Sequence, residues 1–143
     1  MISRRTRVIA APRERVWELI GDPYHHPRWW PRVERVEGVT ARGWTHVLIS
    51  ARGNTVRTDW TLIDNQQPVL RSWSQDVAGT PFERLFASNV VQAQLEKADG
   101  GTEVTLLFDQ RPRGLARYLP FVLKRPMRRQ LEEALDGLAR ALE

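Results

Sequence analysis

Apolar residues recur along this chain with a period that changes from segment to segment. In residues 3–10 they alternate with polar ones up to Val8 and Ala10 and stop at Pro12, as in a short strand running into a helix start. From Pro12 onward Val16, Leu19 and Ile20, with Trp17 beside them, recur at helical spacing as far as Gly21, which predicts a short amphipathic helix. Asp22 followed by Pro23 reads as an N-cap with proline at the first helical position, opening a second brief helix that Pro27 and Pro31 curtail.

The middle of the chain changes to a period of two. Turn residues return at Arg42-Gly43, Gly53-Asn54, Gln67-Pro68, Gly79 to Pro81 and Asp99-Gly100-Gly101, and six strands fit between them. Val56, Thr58, Trp60 and Leu62 share one face while Arg57, Asp59 and Thr61 share the other, as in a half-buried strand. By the same alternation Ala87, Asn89, Val91, Ala93 and Leu95 point inward from one strand, and Val104, Leu106, Phe108 and Gln110 from the next. After Pro112-Arg113-Gly114 the period is helical again: Leu115 and Leu119, then Met127, Leu131, Ala134, Leu135, Leu138 and Leu142, form one stripe. Pro120 and Pro126 predict either a bend in this last helix or a fresh start near Pro126, and we favour the bend.

The order is therefore strand, two short helices, six strands and a long helix (β-α-α-β6-α), an α+β class with a seven-stranded curved antiparallel sheet, expected as one domain over residues 1–143. A helix of about 18 to 25 residues is the only large cover for the concave face and cannot fill it. Ala87, Asn89, Ala93 and Thr58 contribute little volume, so a ligand-sized space of about 300 Å³ or more is expected between sheet and helix.

Composition narrows the chemistry. With no cysteine, disulfides, thiolate nucleophiles and cysteine-ligated metals are excluded. The opening MISRRTRVIAAP carries charge but no apolar core of a signal peptide, and a cytoplasmic protein is expected. The net charge of +5 is unevenly placed: Arg111, Arg113, Arg117, Lys124, Arg125, Arg128 and Arg129 lie in a stretch without Asp or Glu between Asp109 and Glu132. Weak contact with an anionic membrane surface is expected through Arg113, Arg117, Arg125, Arg128 and Arg129; nucleic acid is not, since no aromatic platform or groove-reading motif accompanies the charge.

Candidate site residues follow from strand parity. If Trp44, His46 and Leu48 point inward, His46 is a titratable group in apolar surroundings, available as a general acid or base; an outward or otherwise satisfied histidine is the competing reading. Asn89 and Gln110 on inner faces could orient a carbonyl or hydroxyl, Thr58, Val91 and Phe108 line the same faces, and Trp60 offers an aromatic wall. Tyr118, Phe121 and Met127 are candidates along the helical cover. Adjacent His25 and His26 diverge by about 100° on a helix and cannot chelate one ion alone, so no metal or cofactor is expected. No Gly-x-Ser-x-Gly elbow, dinucleotide loop or phosphate loop is present, and neither Lys97 nor Lys124 falls at a predicted cavity position.

Four segments carry a family resemblance: RTRVIAAPRERVWELIGDP, HPRWWPRVERVEG, LEKADGGTEVTLLF and RRQLEEALDGLARALE. They resemble the START, polyketide cyclase and birch-pollen allergen superfamily (SRPBCC), nearest its polyketide cyclase/dehydrase-like branch. The resemblance implies a helix-grip fold around a deep hydrophobic pocket, and places Trp30 near the pocket mouth. It implies binding of a lipid, polyketide or similar hydrophobic or amphipathic molecule, or alternatively cyclase or dehydratase chemistry in the same pocket, for which His46, Asn89, Gln110 and Tyr118 are the candidates.

Overall fold

The computed structural model describes residues 1–143, the side chain of Pro120 excepted. Strand β1 (Ile2–Ile9) leads into helix α1 (Arg13–Ile20), which buries Val16, Trp17, Leu19 and Ile20 and stops at Gly21. Asp22 then caps a 3-10 turn, Pro23–Arg28, its carboxylate accepting from the Tyr24 amide. Strands β2 (Val33–Glu37), β3 (Gly43–Ile49), β4 (Thr55–Gln66), β5 (Leu70–Gln75), β6 (Phe86–Ala98) and β7 (Gly101–Pro112) follow, and helix α2 (Pro120–Leu142) ends the chain.

All neighbouring strands are antiparallel in the order β1-β7-β6-β5-β4-β3-β2, so the meander is closed at one edge by the first strand and at the other by the second. Helix α2 crosses the concave face over β1 and β7, burying Leu131, Ala134, Leu135 and Leu138. Arg5 and Arg7 reach from β1 to Glu132 and Asp136, one helical turn apart, and fix the rotation of the helix on the sheet. Gly137 lets α2 approach the Trp29 backbone closely: a Cβ built there would lie 2.3 Å from the Trp29 carbonyl oxygen.

Two expectations are corrected, and one alternative is closed. Ala87 faces outward, because a bulge between Phe86 and Ser88 slips the parity of β6 and turns Phe86 inward instead. Leu115 and Leu119 are exposed and outside the helical stripe: Gly114, at φ 65°, opens a 3-10 turn over Gly114–Tyr118, and α2 begins only at Pro120. Nor does a fresh helix start near Pro126, since α2 is continuous through it. Its missing N–H leaves the carbonyl of Val122 without a helical donor, and Val122 is on the solvent side, where water can serve that oxygen.

Candidate functional site

Because β3 and β4 pair in register, Trp44 opposite Trp60 and His46 opposite Thr58, two aromatic and two polar side chains meet on the concave face. Alternation adds Gln75 from β5, Asn89 from β6, and Phe108 and Gln110 from β7. All of these except Trp44, together with Trp30, Leu48, Phe82, Phe86, Met127 and Gln130, line a chamber of about 190 Å³. A larger cleft of about 440 Å³ adjoins it between β3 and α2, sharing Leu48, Met127 and Gln130 and rimmed by Arg32, Arg129 and Glu133. The chamber is smaller than the space expected from the sequence, and the adjoining cleft alone exceeds it.

Of the predicted lining, Trp30, His46, Thr58, Trp60, Asn89, Phe108, Gln110 and Met127 meet in the chamber. Trp44 and Val91 are buried behind its wall. Tyr118 and Phe121 do not reach it: the 3-10 turn and the late start of α2 leave both exposed on the outer surface. Neither Lys97 nor Lys124 lines it.

The polar groups fall into two networks. In the first, the Gln110 amide donates to Asn89 Oδ1 at 3.2 Å and to Met127 Sδ at 3.2 Å, and the Asn89 amide donates to Gln75 Oε1 at 3.0 Å. Gln110 Oε1 is left buried without a protein donor. In the second, His46 Nε2 is 3.1 Å from the Trp44 indole N–H and 2.7 Å from His26 Nδ1. An indole can only donate, so Nε2 of His46 accepts, the His46 proton sits on Nδ1, and His26 Nδ1 is the second donor. Among the described residues nothing accepts from His46 Nδ1, whose ring lines the chamber.

Burial holds His46 at about 3, far below the usual histidine value. His26, stacked on Trp73 and edge-on to Trp29 and Trp44, is also pushed well down by burial first, then by the nearby His46 and Arg71. Arg71 itself is buried over the Trp44 ring and donates to Asn65; burial lowers its pKa too. Both histidines are therefore neutral near pH 7. Among the described residues no three His, Asp or Glu side chains group as metal ligands.

Sequence reasoning missed Gln75, Phe82, Phe86, Gln130 and the pairing of His26 with His46. Gln75 was legible, two residues from Trp73 and hence on its face of β5. The histidine pair was not, because it joins side chains 20 positions apart through the packing of the 3-10 turn on β3.

A sequence profile of the family described as "Polyketide cyclase / dehydrase and lipid transport" matches residues 2–143. Comparison with curated protein sequences finds no match. Among solved structures, a protein of Chromobacterium violaceum is similar at a TM-score of 0.73 and 19% identity, with 99% of this chain and 96% of that chain covered. A Thermus thermophilus protein is similar at 0.74 and 22% identity, covering 98% and 95%. The di-domain ARO/CYC protein BexL of the BE-7585A biosynthetic pathway is similar at 0.80 and 13% identity; all of this chain aligns with 50% of that one. At these identities the likeness establishes the helix-grip fold, and the profile match establishes kinship.

Proposed function

The chain belongs to the polyketide cyclase / dehydrase and lipid transport family, and on that premise we propose that it binds a hydrophobic or amphipathic small molecule in the chamber under α2. The observation that carries this reading is Gln110 Oε1, buried without a donor in the chamber wall. Oε1 exposes almost no surface to the chamber, so a ligand hydroxyl would reach it by a turn of the Gln110 amide, and doing so would offset the roughly 1–3 kcal/mol that an unsatisfied buried acceptor costs. His46 Nδ1–H offers the complementary donor on the wall formed by β3. An apolar cavity of about 150 Å³ takes a benzene ring. A chamber of about 190 Å³ is thus suited to one or two small rings bearing oxygen, with any longer chain lying in the adjoining cleft.

Naphthol and naphthalene make the test, read by quenching of the tryptophans around the chamber. Naphthol should bind about tenfold more tightly than naphthalene, and Gln110→Leu should erase that difference while leaving naphthalene affinity and the fold intact. Equal affinity of the two probes for the wild type, or no binding of either, would sink the reading.

Cyclase or dehydratase chemistry is favoured by one observation, the similarity to BexL. Against it stands His46: a group held at about 3 is poorly matched to proton transfer near neutral pH and is better suited to orienting a guest by hydrogen bonding. Turnover of a polyketone chain that His46→Gln abolishes while naphthol affinity survives would reverse this choice.

A further inference from the structure

The outer surface beside the chamber carries an unusual concentration of apolar side chains. Leu115 is 84% exposed, Tyr118 67% and Phe121 69%, and Leu119 and Val122 are also exposed. Five large apolar residues facing solvent within eight positions form a patch of the kind that marks an interaction surface. Leu85 extends it, since its carbonyl accepts from the Arg113 amide and brings the end of the Pro81–Arg84 turn alongside.

Along the segment that holds the patch the charge has one sign, and Glu83, in the turn beside Leu85, is taken up by the Gly79 amide. Arg111, Arg113, Arg117, Lys124, Arg125, Arg128 and Arg129 flank the patch, and no Asp or Glu occurs from 110 to 131. Among the described residues only Arg129 of the seven has a carboxylate partner, Glu133; the nearest other acid on α2, Glu132, is engaged by Arg5. Arg117 stacks over the Tyr118 ring and donates to its hydroxyl, which keeps both at the surface. Local stability does not account for the arrangement: α2 begins with no side-chain cap and no acid in its first turn, and cations there oppose the helix dipole.

We propose that the segment Leu115–Val122 with its basic surround docks the protein onto an anionic phospholipid surface, the apolar side chains entering the interface and the arginines meeting the headgroups. Apolar anchors ringed by cations are what such a surface selects, and neither half alone gives firm attachment. The docked face adjoins the chamber wall through Leu85, whose chain neighbour Phe86 lines the chamber. The docking itself is independent of what the chamber holds.

Cosedimentation with phosphatidylcholine vesicles, with and without about one third phosphatidylglycerol, tests it. Binding should require the anionic lipid and weaken steeply with added salt. Each basic residue near such a surface is worth about fivefold, so reversing two with Arg125→Glu and Arg128→Glu should weaken binding at least twentyfold. Leu115→Ser with Phe121→Ser should weaken it by about a hundredfold. These positions are exposed, so the far-ultraviolet spectrum and thermal midpoint should hold; should the pair at the helix start fail to fold, Leu115→Ser alone, in the preceding turn, should still weaken binding about tenfold. Vesicle binding indifferent to lipid charge and salt, binding unchanged by both sets of substitutions, or a stable dimer by light scattering that the serine substitutions dissolve, would each overturn the proposal, the last by assigning the face to a second copy of the chain.

Discussion

Gly137→Ala should destabilise the protein by about 2–3 kcal/mol, although alanine is the better helix former by about 1 kcal/mol. The added Cβ would lie 2.3 Å from the Trp29 carbonyl oxygen, 2.8 Å from its Cα and 2.9 Å from its carbonyl carbon. All three are backbone atoms, so no rotamer change relieves the contact, and either α2 or the Trp29–Trp30 segment must move by about 1 Å. Both are held. Trp29 is buried with its indole N–H on the Leu19 carbonyl, and α2 is anchored by its apolar stripe of Leu131, Ala134, Leu135 and Leu138. Propensity therefore loses to packing, and the thermal midpoint should fall by roughly 5–10 °C for a chain of this size. Because Trp30 lines the chamber, the displacement should also change naphthol binding. An unchanged or raised midpoint would show that α2 seats against the Trp29 backbone with slack, so that Gly137 does not set their separation.

Most of the fold was legible because strand and helix periods are local signals. Alternation through Val56, Thr58, Trp60 and Leu62 and the helical stripe from Leu131 to Leu138 each correspond to a buried face, and the turn residues separate the strands where expected. Errors arose where a local signal was overridden. Ala87 kept the right period on the wrong face, since one bulge at Phe86/Ser88 reverses everything on its far side and leaves no trace in composition. Leu115 and Leu119 satisfy helical spacing, yet Gly114 in the left-handed region and the proline at position 120 impose a 3-10 turn instead. That misreading placed Tyr118 and Phe121 over the pocket when they belong to the outer patch. In the candidate site, residues on regular strands were found by parity. His26 and the smaller chamber were not, because both depend on how aromatic side chains from distant segments fill the concave face: His26, Trp29, Trp30, Trp44 and Trp73 interlock in edge-to-face, tilted and stacked contacts and occupy room that counting small residues had left open.

Lowering the pH from about 7 to about 5 should remove about 2 kcal/mol of stability through buried His46, with a further loss in the same direction through buried His26. Folding places His26 and His46 2.7 Å apart in a shell of tryptophans. Burial is the largest influence on both, holding His46 at about 3 and taking His26 well below the ordinary histidine value, and the proximity of the two rings and Arg71 depresses His26 further. Both are ordinary histidines in the unfolded chain, near 6.5. Below that value the unfolded chain takes up two protons that the folded chain refuses. The stabilisation is thus complete above about 6.5 and is lost as the pH falls toward the folded values, by up to about 1.4 kcal/mol per pH unit for each ring. Urea denaturation at the two pH values should show the loss in the wild type. In His46→Gln, where one titrating ring is gone and the other no longer faces it, the loss should shrink by about half or more. A wild-type loss no larger than that of a His26→Asn, His46→Gln double variant would mean the rings charge freely in the folded state, and the buried neutral pair would have to be abandoned. The consequence reaches the chamber, because the first proton to enter makes the second costlier and must be accommodated by separating two rings that support one wall. Between pH 7 and pH 5 the folded rings refuse that proton, so the naphthol affinity of the folded wild type should hold there and decline only as the pH approaches about 3, a decline that the double variant should lack.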